Sequence, residues 1–256
     1  MAVDYKVDGR IVTITLNRPE AYNSVDVRTL KELRDALVAF RDNQEVWVGI
    51  LTGAGEKAFC SGADITEMLP FLKANASKPW EIPETPLRAM EVYKPIIGAI
   101  NGIALGGGLE IALICDIRIA AEHARFGCPE VNLGLMPGWG ATQRLTRIIP
   151  RAKAAEMVFT GKAITAQEAY RIGLVNEVVP KTELMTKAQK WAEELAQVSP
   201  LALRAAKEAM IRGYSMPLDD GIKLENALFN YLLGTEDFIE GRDAFLNKRK
   251  PQFKGK

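Results

Sequence analysis

The sequence predicts an α/β protein with a helical C-terminal region, on three observations. Short runs of β-branched and aliphatic residues recur from Arg10 to Ala121. Stretches between them carry apolar residues every three or four positions, the period of a helix with one buried face. From Thr165 onward the helical period dominates, broken only at Leu174–Val179. Strands alternating with helices imply at least partly parallel pairing. A chain of 256 residues suffices for one large domain or for a core with a small appendage.

Taken in order, the chain starts straight into a strand-like pattern, and Arg10–Leu16 alternates polar and apolar residues, ending at the break Asn17-Arg-Pro-Glu20. A helix follows, with Asp26 as its N-cap and Leu30, Leu33, Leu37 and Phe40 on one face. Val46–Leu51, Pro95–Ile100 and Asp116–Ala121 read as buried strands. The segment 69–87 holds Pro70, Pro79, Pro83 and Pro86 and reads as a long, partly irregular loop. Such a loop is a lid, a pocket wall or a variable excursion. Helices are expected at about 182–197, 200–213 and 217–233, with a last one before Lys248. These readings divide the chain into a core, 1–196, and a helical subdomain, 197–256. No internal repeat or low-complexity tract is evident.

Composition narrows the function. The chain is 48% apolar and 25% charged, as ordinary globular proteins are, and can bury a core without staples. Its 33 basic and 32 acidic residues leave a net charge of +1. No overall field recruits nucleic acid or an anionic membrane, so an anionic ligand must be caught locally. The longest apolar stretch, around Ile96–Ile100, is too short for a membrane span. Cys60, Cys115 and Cys128 form neither a CxxC nor a metal-ligand pattern, and free thiols in a reducing compartment are expected. With no leader-like start, the expected location is the cytoplasm.

Two glycine-containing turns carry candidate chemistry: Phe59-Cys-Ser-Gly-Ala-Asp64 and Gly102-Ile-Ala-Leu-Gly-Gly-Gly-Leu-Glu110. Each places small residues between a strand and a helix, where backbone N–H groups lack partners and a ligand approaches the main chain closely. Two such turns side by side aim two N–H donors at one oxygen, as an enzyme that stabilises an enolate requires. Either turn alone is better read as close strand–helix packing. The run matches neither GxxxxGK[ST] nor GxGxxG. Glu110 falls one turn into a helix beginning near Gly107 and is followed by Ile111-Ala-Leu-Ile114, so burial should raise its pKa. Glu130, in Phe126-Gly-Cys-Pro-Glu130, either serves a helix N-terminus or salt bridge, or shares a water with Glu110. The sole histidine, His123, has no nucleophile motif to serve and reads as exposed; Asp64 and Asp116 read as turn braces.

The chain resembles the enoyl-CoA hydratase/isomerase (crotonase) family along nearly its whole length. The matching stretches are Leu16-Asn-Arg-Pro-Glu-Ala21 with Asn23, Lys57–Ile65, Lys94–Glu110, Cys115–Ala120, Phe126–Glu130, Gly134–Leu145, Thr160-Gly161, Ala166–Pro180 and Phe245–Phe253. The resemblance implies a spiral of ββα units with a C-terminal helical subdomain that builds trimers, commonly paired into hexamers. It implies reversible addition of water to a 2-enoyl-CoA, as in fatty-acid β-oxidation, with coenzyme A part of the substrate and no separate cofactor or metal. Ala63 and Gly107 would form the oxyanion hole. Glu110 would be the base that activates water and Glu130 the acid that protonates Cα, with Gly138 helping to hold the water. Coenzyme A would run past Ala21, Tyr22, Ser61, Ala63, Asp64 and Ile65, and Lys248 and Phe253 would reach its phosphate or adenine, in the same or a neighbouring subunit.

Several positions depart from the family pattern. Cys128 stands where a glutamine is common, Trp139 and Ala141 replace smaller residues or glycine, and Ser24 replaces an alanine. Trp139 either narrows the acyl end of the pocket or packs against a helix. Rival activities are a Δ3,Δ2-enoyl-CoA isomerase, which can manage with one carboxylate, and a dehydratase or hydrolase of a specialised acyl-CoA. A rival of another class is an RNA-binding protein on the same scaffold.

Overall fold

The structure, a computed structural model, describes residues 1–82, 84–85, 87 and 90–256. Pro83 and Pro86 of the expected proline-rich loop lie outside the described residues. The chain opens with an antiparallel hairpin, β1 (Val3–Asp8) and β2 (Ile11–Leu16). Helix α1 (Val27–Asp42) follows, and the Asp26 carboxylate accepts the Thr29 N–H at 2.6 Å, as expected of an N-cap. Leu30, Leu33, Leu37 and Phe40 are buried along one face of α1.

A strand–strand–helix motif then repeats. β3 (Val48–Gly53) leads to β4 (Ala58–Cys60) and α2 (Met68–Ala74). β5 (Ile96–Ile100) leads to β6 (Ile103–Leu105) and α3 (Gly107–Ala112). β7 (Ile117–Ala121) leads to β8 (Arg125–Gly127), a 3-10 turn at Pro129–Leu133, and α4 (Ala141–Ile148). After α5 (Arg151–Thr160) come β9 (Ile164–Thr165), α6 (Ala166–Arg171), β10 (Glu177–Val179) and α7 (Leu184–Leu195). The chain finishes with α8 (Pro200–Gly213), α9 (Leu218–Leu233) and α10 (Glu236–Leu246).

The first strand of each motif joins a sheet of order β1-β2-β3-β5-β7-β10, parallel from β2 onward. The second joins a sheet of order β4-β6-β8-β9, with β4, β6 and β8 parallel. The segments leaving β4, β6 and β8 therefore emerge at the same end of neighbouring strands. That arrangement brings Ser61–Ile65, the glycine run 106–108 and Cys128–Glu130 together.

β3 and β5 are buried on both faces, which explains their unbroken apolar runs. Val48, Ile50, Ile97 and Ala99 meet Leu184, Ala188 and Ala192 of α7. The alternate residues Leu51, Ile96 and Ile100 join the larger cluster that includes Leu109 and Phe126. The expected irregular loop at 69–87 instead begins inside helix α2, which tolerates Pro70 because it falls in the first turn, where no intrahelical N–H bond is lost. α4, α5 and the three-residue strands of the second sheet were not expected from sequence.

Candidate active site

Each of the converging segments is fixed by its own chemistry. After β4, Gly62 takes φ +105°, a conformation that L side chains rarely adopt. Val25 N–H donates to Gly62 C=O at 2.8 Å and Asp64 N–H donates to Val25 C=O at 2.9 Å. This bridge skips the Ala63 N–H, which no hydrogen bond among the described residues uses. Arg18 braces the turn through ion pairs of 3.2 Å to Asp64 and to Asp26. The Asn23 amide donates to Ala54 and Ala58 carbonyls, and Asn101 donates to Gly53, Gly55 and Ala58, tying down the β3–β4 connection. Contrary to the sequence expectation, Ala63 does not open a helix, since α2 starts only at Met68.

After β6 the three glycines have different reasons. Gly106 has φ 54° and ψ −126°, outside the range of L residues. A Cβ on Gly107 would stand 2.6 Å from the Trp139 ring, and one on Gly108 would stand 1.9 Å from the Cys60 carbonyl oxygen. Their absence lets the first turn of α3 press against the end of β4. The same Gly107 Cβ position lies 3.4 Å from Ala63 N, so the two main-chain N–H groups are neighbours. Gly107, the first residue of α3, has an N–H without an intrahelical partner.

Glu110 is 2% exposed. Its Oε1 accepts the N–H groups of Trp139 at 2.7 Å and Ala141 at 2.9 Å. Arg144 donates to the Trp139 carbonyl at 2.9 Å and holds that turn closed. Burial pushes the Glu110 pKa up to about 7; the two N–H donors oppose the rise, and the charge of Glu130 adds to it. Glu130 lies in the first turn of the 3-10 segment, half-buried, and its Oε2 is buried without a partner. Its pKa is also raised by burial. Cys128, beside both acids, is a buried thiol pushed up to about 12, mainly by desolvation. It is not a thiolate at neutral pH.

Ser61, Ala63, Ile65, Gly107, Glu110, Glu130, Gly138 and Trp139 line one cavity of about 540 Å³. Leu69, Leu72 and Lys73 of α2 and Leu133, Leu135 and Met136 form its outer walls. Leu69, Leu72 and Lys73 fall in the segment 69–87, read from sequence as a lid, a pocket wall or a variable excursion, whereas Leu133, Leu135 and Met136 were not expected, because nothing local marks a wall residue. Trp139 packs on Gly107, the first residue of α3, and also lines the cavity. Ala21, Tyr22 and Asp64 do not line it, although Tyr22 C=O accepts the Ser61 N–H at 3.0 Å at its edge. Lys248 and Phe253 are not brought to it within one chain. Lys248 is exposed at the end of α10, and Phe253 packs on Gly241 and near α7, where Arg10 donates to its C=O at 3.0 Å. Asp116 accepts Ile96 N–H and the Lys207 ammonium, as a brace should. His123 sits near the Asn101 and Glu56 carbonyls, outside the cavity. Among the described residues no group of three or more His, Cys, Asp or Glu could hold a metal ion, and no helix is long and apolar enough to cross a membrane.

Comparison with known proteins agrees with this fold. The family model described as enoyl-CoA hydratase/isomerase matches residues 6–256. The chain is 43% identical to (E)-benzylidenesuccinyl-CoA hydratase of Thauera aromatica over 100% of both chains. It is 43% identical to the short-chain-enoyl-CoA hydratase of Clostridium acetobutylicum, covering 95% of this chain and 94% of that one. The crystal structure of an enoyl-CoA hydratase from Bacillus anthracis superposes with a TM-score of 0.92 at 41% identity, over 100% of both chains. With a crotonase spiral, a whole-length family match and relatives at this identity, the chain belongs to the enoyl-CoA hydratase/isomerase family.

Proposed function

We propose that the protein is an enoyl-CoA hydratase, adding water reversibly to a 2-enoyl-CoA to give a 3-hydroxyacyl-CoA. One observation carries the reading: two carboxylic groups, the buried Glu110 and the half-buried Glu130, share a cavity with the unused N–H groups of Ala63 and Gly107. The N–H pair receives the thioester oxygen. Glu110, ionised, takes a proton from water as the water oxygen bonds to Cβ. The alkene electrons move toward the thioester, and the enolate oxygen is held by the two donors. Glu130, protonated, delivers its proton to Cα. The Glu110 and Glu130 side chains therefore hold one proton between them before reaction, and their apparent pKa values belong to the pair. The chemistry calls on no separate cofactor. Coenzyme A runs along Ala21, Tyr22 and the Ser61–Ile65 strip, with Gly138 N–H near the water.

Residues 197–256 supply subunit contacts in a trimer or hexamer, and through them Lys248 and Phe253 of one chain approach the coenzyme of another. This rests on exposed apolar side chains along α9, including Leu218, Ile222, Phe229 and Tyr231. Three buried free thiols suit a reducing, cytoplasmic setting. The test is hydration of crotonyl-CoA, followed by loss of enoyl-thioester absorbance, in the parent, Glu110→Gln and Glu130→Gln. Each variant is expected to lose orders of magnitude in kcat while still binding acyl-CoA. Near-parental turnover in both would overturn the roles. Loss in Glu110→Gln alone, with retained 3-enoyl to 2-enoyl conversion in the parent, would favour an isomerase.

A further inference from the structure

We infer that Arg18 is a positioning residue for the oxyanion hole: by joining Asp26 to Asp64 it aims the Ala63 N–H at the thioester oxygen. The inference rests on the acyl-CoA reading above and deepens it. Ala63 makes no bond of its own through that N–H among the described residues, so its direction is set by its neighbours. The main-chain bonds that flank it come from one segment, 22–25. Ser61 N–H donates to Tyr22 C=O at 3.0 Å, Val25 N–H to Gly62 C=O at 2.8 Å, and Asp64 N–H to Val25 C=O at 2.9 Å. Within this segment Tyr22 and Asn23 both take positive φ, 53° and 54°, which residues with a side chain hold only when their surroundings impose it.

Arg18 imposes it. Its C=O accepts Asn23 N–H at 2.8 Å, its N–H donates to Asn23 Oδ1 at 3.0 Å, and its guanidinium donates to Ser24 C=O at 2.8 Å. The same guanidinium crosses to the donor turn at Asp64, 3.2 Å away, and to Asp26 at 3.2 Å, the carboxylate that caps α1. The side chains of all three are at most 19% exposed, so water screens these pairs weakly. The main-chain bonds could be kept by other residues at 18. What arginine adds is a planar fork that reaches Ser24, Asp26 and Asp64 at once and ties the Ala63 turn to a rigid helix. With its charge shared between two carboxylates, Arg18 is not free to meet a coenzyme phosphate.

The test reads carbonyl polarisation directly, by difference infrared spectroscopy of butyryl-CoA isotopically labelled at its thioester carbonyl and bound to saturation. The variants are Arg18→Met, Arg18→Lys and Asp64→Asn, each with its fold checked by near-ultraviolet circular dichroism. In the parent the carbonyl band is expected below its position in solution, because two donors draw charge onto the oxygen. Arg18→Met should lose most of that displacement and about 10²-fold in kcat for crotonyl-CoA, as a misplaced group does. Arg18→Lys and Asp64→Asn each keep part of the link and should lose about tenfold. If Arg18→Met does not fold, the same readings in Asp64→Asn decide. A parental band in the folded variants overturns the inference and leaves the arginine a brace of the fold. Weaker binding of butyryl-CoA and free CoA alike, with the band unmoved, also overturns it and assigns Arg18 to phosphate. A parent band that is not displaced would remove the donor pair, and this inference with it; a displaced parent band with unmoved variants removes Arg18 alone.

Discussion

Glu110 was legible as a buried acid because an apolar run follows it, whereas Glu130 was left between a helix N-terminal or salt-bridging role and a shared water, and only the family resemblance paired the two. What the sequence did not disclose is how Glu110 is held. Its partners are main-chain N–H groups of Trp139 and Ala141, and backbone donors carry no residue signature. The Gly107–Trp139 contact was likewise invisible, since nothing in either motif says they touch. It yields a prediction. Gly107→Ala should cost about 10²-fold in kcat, by driving Cβ into the indole and tilting the N–H donor. Gly107→Ala combined with Trp139→Ala should recover part of that loss, read as initial hydration rates. Glu110 also sets a stability trend. Its folded pKa of about 7 exceeds the ordinary 4.5, so its contribution is full below pH 4.5 and lost as pH rises through 7. Urea melts of the parent and Glu110→Gln at pH 5 and pH 8 should differ by a shift on the order of 3 kcal/mol in favour of glutamine at the higher pH. The same titration predicts that kcat/KM falls as pH drops below about 7, where Glu110 takes up a proton.

At the scale of elements, long periodic segments were readable and short ones were not. α1 with its Asp26 cap and α8 at Pro200–Gly213 lie where the apolar period and capping residues place them. Asp26→Ala should lower stability by about 1 kcal/mol in a urea melt, through loss of the cap bond to Thr29. β4, β6 and β8 have three residues each, below the length at which alternation can be recognised. For that reason the ββα repeat was not readable from the residue pattern and entered only through the family resemblance, although the segments that line the cavity depend on it. The turn 139–141 is an element held together by Arg144, whose guanidinium bonds the Trp139 carbonyl and whose charge lowers the Glu110 pKa. Arg144→Met should reduce kcat about tenfold. It should also move the acidic limb of the pH–rate profile upward, because the charge that favoured the ionised acid is gone. A merely structural arginine would leave that limb in place.

For the whole molecule, the family match from residue 6 to 256 and the crystal-structure superposition agree with the fold class read from the sequence. The proposed contacts between subunits could not be read from one chain's pattern. They need surfaces that the helical period marks only as apolar and that the monomer leaves exposed, such as Phe229 and Leu218 of α9. Light scattering should give three or six times 28.2 kDa, and Phe229→Asp should shift the mass to smaller species. The central claim, that Ala63 and Gly107 N–H groups grip the thioester while Glu110 and Glu130 share one water, is tested most directly by a crystal structure with butyryl-CoA, which cannot be hydrated. The account predicts the thioester oxygen about 2.7–3.1 Å from both nitrogens, with one water bonded to both carboxylic groups beside Cβ. A thioester oxygen away from either nitrogen, or the two acids binding separate waters, would contradict it.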